Sequence, residues 1–311
     1  MQLSLLLAQQ IASMLLMILM GYAAVKARLF DAGSSKVLSS MALYLLAPCM
    51  IFSALQIEYS PERLKGILIG MLIAVCAHIV FILIIRFSGK IMDLTDVEKG
   101  AAIYSNCGNL LIPIAGAVMG QEYVFYVCAY NAVMTVMMWT HLISMIEGRP
   151  TANVKKIITN PNILAMIAGF AFFLLPVSLP GILEVTVDRV GATIGPVSMF
   201  GIGILMSQYT VREIFTNIRA LRASMFRLLI LPLILIAILW ASHITMISDT
   251  AEKAAFAVIL AACAPVAVSV PQMASISNKD AGSGSVAVVL STLMCIITMP
   301  VIVMIWQLVI R

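Results

Sequence analysis

Asparagine, serine and glutamine set beside proline inside apolar sequence bring hydrogen-bonding groups to a depth where water is scarce. Two segments of the 311-residue chain have this character. One begins Glu98-Lys99-Gly100-Ala101-Ala102 and runs to Ser105-Asn106-Cys107-Gly108-Asn109-Leu110-Leu111-Ile112-Pro113. The other begins Glu252-Lys253-Ala254-Ala255 and runs to Pro265-Val266-Ala267-Val268-Ser269-Val270-Pro271-Gln272. A proline inside a helix removes one backbone hydrogen bond and crowds the preceding turn. Asparagine weakens a helix further by bonding to nearby backbone. In lipid the freed groups persist only where they line a cavity or are buried in protein. Each segment is therefore expected to start as a helix, break halfway and resume. The resumed halves, after Pro113 and after Pro271, would offer free N–H groups and a positive dipole end, which suits an anion such as a carboxylate. Asn106, Cys107, Gly108, Asn109 and Pro113, with Pro265, Ser269, Pro271 and Gln272, are the candidate substrate-binding residues. As polar glue between helices the same side chains would contribute about 0.6–2 kcal/mol each.

Other polar groups lie at membrane depth. Tyr130 and Asn131 sit mid-way along the apolar stretch that follows the first break, where helix glue and ligand contact are both open. His78 is a titratable side chain near mid-depth, and an intramembrane ionisable group is a functional candidate. These three are candidates for coupling or support. His141 and His243 fall near membrane edges, and the adjacent Asp188 and Arg189 suit an interfacial role. No Asp or Glu lies near either break. Coupling through His78, through a proton on the substrate, through a sodium ion held by freed carbonyls, or through none of these is open. No cofactor or metal is expected. The six cysteines form no Cys-x-x-Cys pair. No Ser-His-Asp, His-Glu-x-x-His or paired-aspartate arrangement occurs at a usable depth, so an enzyme is not expected.

The elements that must position these residues follow from composition. The chain is 62% hydrophobic and 11% charged, far from the roughly quarter charged of soluble domains. Ten stretches meet the roughly 20 apolar residues a spanning helix needs: 3–25, 34–57, 64–86, 98–118, 121–146, 161–180, 184–209, 220–242, 251–277 and 283–308. Without period-2 alternation they read as helices. With the N-terminus outside, 14 Lys and Arg fall on the cytoplasmic side, Arg227 among them, and 5 on the other, Arg311 among them. The positive-inside rule then sets both termini outside. The +5 net charge thus reflects membrane orientation, and no nucleic-acid partner is expected.

The halves echo each other. Glu98-Lys99 and Glu252-Lys253 are 154 residues apart, and the Pro-x-x-x-Phe sequences from Pro48 and Pro196 are 148 apart. A duplicated five-helix unit explains both, and because five is odd the second copy must be inverted. The organisation expected is an all-α integral membrane protein of ten helices: a first repeat 1–146, a cytoplasmic linker 147–160 and an inverted second repeat 161–311. Broken helices in matching places of two inverted halves point to the midplane site of a secondary transporter. A cation antiporter on the same plan, and a membrane receptor that binds without transport, are the alternatives.

The stretches Ser105–Pro113 and Ala264–Gln272, together with Ser291-Thr292-Leu293 and Thr298-Met299-Pro300, resemble the auxin efflux carrier family over nearly the whole chain. Its bacterial members include malonate- and malate-permease-like proteins, and its plant members are the PIN auxin carriers. The resemblance implies a scaffold of helices 1, 2, 6 and 7 that makes a homodimer. It implies a transport domain of helices 3–5 and 8–10, and a crossing of helices 4 and 9 that holds a small carboxylate and moves as an elevator. Asn106 or Asn109 with Pro113, and Pro271 or Pro265, would be the crossing residues. Lacking the long central loop of the plant carriers, the chain resembles a compact member of a bacterial cytoplasmic membrane. It also departs from the family in showing no acidic residue in the third helix, where His78 is the titratable group.

Overall fold

The computed structural model describes residues 2–150, 154–175, 177 and 179–310. Its helices, in chain order, are α1 (Gln2–Lys26), α2 (Ser34–Ala54), α3 (Pro61–Ile91), α4 (Asp96–Ile103), α5 (Cys107–Val118), α6 (Gln121–Glu147) and α7 (Val154–Ile158). They continue with α8 (Pro161–Leu174), α9 (Gly181–Met206), α10 (Val211–Thr216), α11 (Ile218–Ser242), α12 (Asp249–Cys263), α13 (Ser269–Ile276) and α14 (Gly282–Val309). Among the described residues seven of these are long and apolar enough to cross a membrane: α1, α2, α3, α6, α9, α11 and α14.

The other three expected stretches are shorter for visible reasons. The fourth and ninth each divide into two helices around the expected breaks, as α4 with α5 and as α12 with α13. The sixth, expected over 161–180, is the 14-residue α8, about 21 Å at 1.5 Å per residue and short of a hydrocarbon core of about 30 Å. Within the expected linker, α6 ends at Gly148 in a left-handed conformation (φ 69°), the usual role of glycine after a helix. Residues 151–153 of that linker, and Arg311 of the outer cations, lie outside the described residues.

Helix starts follow local chemistry. Ser60 accepts from the Arg63 N–H, with Pro61 in the first turn of α3. Thr95 and Glu98 form a reciprocal cap on α4, and Ser248 caps α12.

Prolines leave a further signature. Three helices widen to five-residue π turns, Ala42–Leu46, Cys107–Leu111 and Phe226–Ile230. A proline follows two residues after each: Pro48, Pro113 and Pro232. Proline has no N–H to give and crowds the carbonyl four residues back, and a wider turn before it accommodates both. A fourth π turn, Met138–Leu142 in α6, has no such proline.

Packing brings α1 against the second half of α9, and α2 against α8 and α9. Separately α3, α6 and α12 pack on one another, while α11 packs on α4 and α14. The α1–α9 contact is backbone to backbone: a Cβ on Gly203 would lie 2.0 Å from the Ile18 carbonyl oxygen, and one on Gly21 2.5 Å from that of Phe200. Gly191, Gly195 and Gly201 likewise face Met50, Pro113 and Leu38 of the same chain. These glycines serve internal packing.

Candidate functional site

The two breaks meet. Ser105 and Val266 form an isolated antiparallel bridge. The Asn106 N–H donates to the Pro265 carbonyl at 2.7 Å, and the Ala267 N–H donates to the Tyr104 carbonyl at 3.0 Å. The segments therefore run in opposite directions where they cross, and each satisfies backbone groups that the other's break has freed. The Val266 N–H donates to the Ser291 hydroxyl of α14 at 3.0 Å, and that hydroxyl donates to the Val288 carbonyl at 3.1 Å.

Register between the halves is not constant. The caps Thr95 and Ser248 are 153 residues apart, but the bridged Ser105 and Val266 are 161 apart. Seven of the eight extra residues lie in the opening halves, since α4 has 8 residues and α12 has 15. Seven residues are about two helical turns.

Behind the bridge lies a residue first counted with the cytoplasmic cations. Arg227 of α11 is 0% exposed. Its guanidinium donates to the carbonyl of Ile103, the last residue of α4, and to that of Ala262, near the end of α12. It also lies 5.7 Å from the Phe81 ring centroid. Removing it from the cytoplasmic count leaves 13 against 5, so the charge asymmetry stands.

In front of the bridge is a cavity of about 70 Å³, room for several waters or a small solute. Ser105, Asn106, Gly108 and Asn109 line it from the first break, and Ser269, Gln272 and Met273 from the second. Asn131 and Thr135 of α6, Asn162 of α8, and Tyr44, Met50 and Ile51 of α2 close it. Among the described residues no acidic side chain lines it. Asn106 is 4% exposed, and its side-chain NH2 has no partner among the described residues. Such a donor left unpaired costs about 1–3 kcal/mol, so a buried one at a cavity wall needs explaining. The Asn162 side-chain oxygen is likewise buried without a partner.

The resumed helices begin before their prolines, not after them. Helix α5 starts at Cys107, and its π turn carries it to Pro113. Helix α13 starts at Ser269, so Pro271 falls in its first turn, where its missing N–H is no loss. Both positive helix ends thus open at the bridge.

Among the candidates, Asn106, Gly108, Asn109, Ser269 and Gln272 share the cavity. Cys107 is buried to the side, its sulfur 3.5 Å from the Asn131 side-chain oxygen. A Cβ on Gly108 would come within 3.3 Å of that same oxygen. Pro265 contributes its carbonyl to the bridge, and Pro271 is buried. Pro113 lines a different cavity, about 410 Å³, with Ser53, Gln121 and Asp188. Asp188 accepts from the Ser53 hydroxyl there. His78 donates from Nδ1 to the Ala74 carbonyl at 2.8 Å and faces the Tyr130 ring at 4.8 Å, and neither residue lines the 70 Å³ cavity. The Tyr104 hydroxyl lies 2.8 Å from His141 Nδ1, tying the first break to α6.

Ser105, Thr135, Asn162, Arg227 and Ser291 are not among the site residues the sequence suggests, although Ser105 and Ser291 lie in the stretches that carry the family resemblance. Ser105 adjoins Asn106 and Thr135 lies one turn beyond Asn131, so both were within reach of the pattern. Among the described residues no group of three or more His, Cys, Asp or Glu is arranged to hold a metal ion.

The sequence pattern of a family described as membrane transport protein matches residues 6–156 and, a second time, residues 151–303. No curated protein matches the chain.

Proposed function

The chain belongs to the membrane transport protein family, the auxin efflux carrier type, and is a multi-pass transporter, not an enzyme; from that premise we propose that its solute is a small organic anion, a carboxylate, held where the two breaks cross. The observation that carries this reading is Asn106, which lines a polar cavity and whose side-chain NH2 is buried with no partner among the described residues. Around it two positive helix ends converge with no acidic side chain to offset them. The carboxylate would accept from Asn106 and Asn109 on one side and from Ser269 and Gln272 on the other.

The architecture we propose is ten membrane-crossing elements in two inverted five-helix repeats, 1–146 and 161–311, joined by the cytoplasmic linker 147–160. The doubled family match and the antiparallel crossing support it. In this reading α1, α2, α8 and α9 form the scaffold. The rest moves as an elevator, sliding the crossing past the α2 wall of the cavity. Both termini face outward from a bacterial cytoplasmic membrane, and two copies pair through their scaffolds. A cation antiporter is less well supported, because the cavity wall has no carboxylate and His78 stands away from it.

Thermal stabilisation of the purified protein by mono- and dicarboxylates, with Asn109→Ala beside it, tests the site. A ligand that binds only the folded protein raises its melting temperature. A shift with one acid that is lost in the variant supports the reading, and a shift of equal size in the variant removes Asn109 from the site.

A further inference from the structure

Arg227 occupies a place that the anion site does not by itself require. A buried charge is tolerated only when its surroundings offset the desolvation, which is worth several kcal/mol. Among the described residues no carboxylate meets Arg227; its guanidinium donates to the Ile103 and Ala262 carbonyls, one from each broken helix. These are carbonyls at the C-terminal ends of α4 and α12, the kind that unwound transporter helices offer to a sodium ion. Each helix C-terminus carries about −0.5 elementary charge. Two together come to about −1, which one permanently protonated guanidinium matches. The N-terminal ends of α5 and α13, about +0.5 each, then face the cavity with nothing to cancel them.

The two repeats do not share this cation. A buried titratable group of the first repeat, His78 of α3, bonds its own helix at Ala74 and leaves the crossing to Arg227. One fixed charge serves both helix ends. The π turn Phe226–Ile230, set by Pro232, is the local geometry that carries it.

We infer that Arg227 is a built-in counter-cation of the crossing: it takes the carbonyls a coupling sodium ion would need, so the anion binds without sodium there. The inference rests on the crossing being the anion site. Arg227 acts through the backbone of α4 and α12 and not by touching the solute, which makes it a positioning residue.

The test compares wild type, Arg227→Lys and Arg227→Gln by melting temperature, with acetate, malonate and malate titrated in sodium chloride and in choline chloride, and with sodium titrated alone. Wild type and Arg227→Lys should each bind the acid with the same affinity, within twofold, in sodium as in choline. Arg227→Gln should lose at least tenfold in affinity in choline, regain part of it in sodium, and be stabilised by sodium alone. Wild-type binding that needs sodium would overturn the inference, as would Arg227→Gln binding at wild-type strength in choline. Should Arg227→Gln not fold, wild type and Arg227→Lys still decide through their sodium dependence. If no acid stabilises wild type, the anion-site reading fails, and sodium alone still judges Arg227. Stabilisation of Arg227→Gln only supports it; stabilisation of wild type, or of neither protein, overturns it.

Discussion

Asn106 has its backbone N–H committed to the Pro265 carbonyl and its side-chain NH2 uncommitted. Backbone and side chain therefore do separate work, and Asn106→Ala keeps the bridge while removing the donor. A hydrogen bond to a charged partner is worth about 1.5–3 kcal/mol, or roughly 10–100-fold in affinity. Asn106→Ala should weaken carboxylate binding by that factor with no loss of melting temperature, read by ligand titration in detergent. Ser291→Ala should behave in the opposite way. It strands the Val266 N–H at a cost of about 1–3 kcal/mol, lowering the melting temperature while the folded fraction binds as before. Equal affinity loss in both variants would mean that bridge and site cannot be separated. The cavity polar groups were legible in sequence because Asn106, Asn109, Ser269 and Gln272 are conspicuous in apolar surroundings. Arg227 was not. It follows Arg219 and Arg222 and reads as one more cation of the cytoplasmic edge until the fold carries it to the crossing.

At the scale of the element, the breaks themselves were legible, since prolines with asparagine or serine leave a membrane helix little choice. Their offset was not. The extra two turns of α12 over α4 are ordinary apolar sequence, and only the pairing of Ser105 with Val266 reveals them. The π turns were hidden for a similar reason, because one widened turn barely alters an apolar run. They matter for aim. Pro113→Ala restores an N–H and permits an ordinary turn over 107–111, which would rotate Gly108 and Asn109 by about 100°, one residue's worth of helix. Transport should then fall at least tenfold with no loss of melting temperature; full activity would show that the π turn does not aim Asn109. Gly203→Ala tests the scaffold contact. Helix propensity alone predicts a gain of about 1 kcal/mol, but a methyl 2.0 Å from the Ile18 carbonyl should reverse the sign and cost about 1–3 kcal/mol. A raised melting temperature would contradict the backbone contact between α1 and α9.

For the whole molecule, the repeated Glu-Lys and Pro-x-x-x-Phe pairs announced a duplication, and the family pattern matches twice, once in each half. The proposed pairing of two copies has no such mark: Gly191, Gly195, Gly201 and Gly203 face residues of their own chain. Orientation is legible only through the distribution of Lys and Arg, and it has a direct check. Tyr59→Cys should react with a membrane-impermeant maleimide on intact cells, and Lys279→Cys only after permeabilisation. The reverse pattern would invert the whole assignment. The central claim is that the solute travels at the crossing. Counterflow of labelled carboxylate in proteoliposomes tests it, comparing wild type with Asn106→Ala and Asn109→Ala of equal melting temperature. The account predicts exchange by wild type and at least tenfold slower exchange by both variants at low substrate concentration. Exchange at the wild-type rate in both would contradict it.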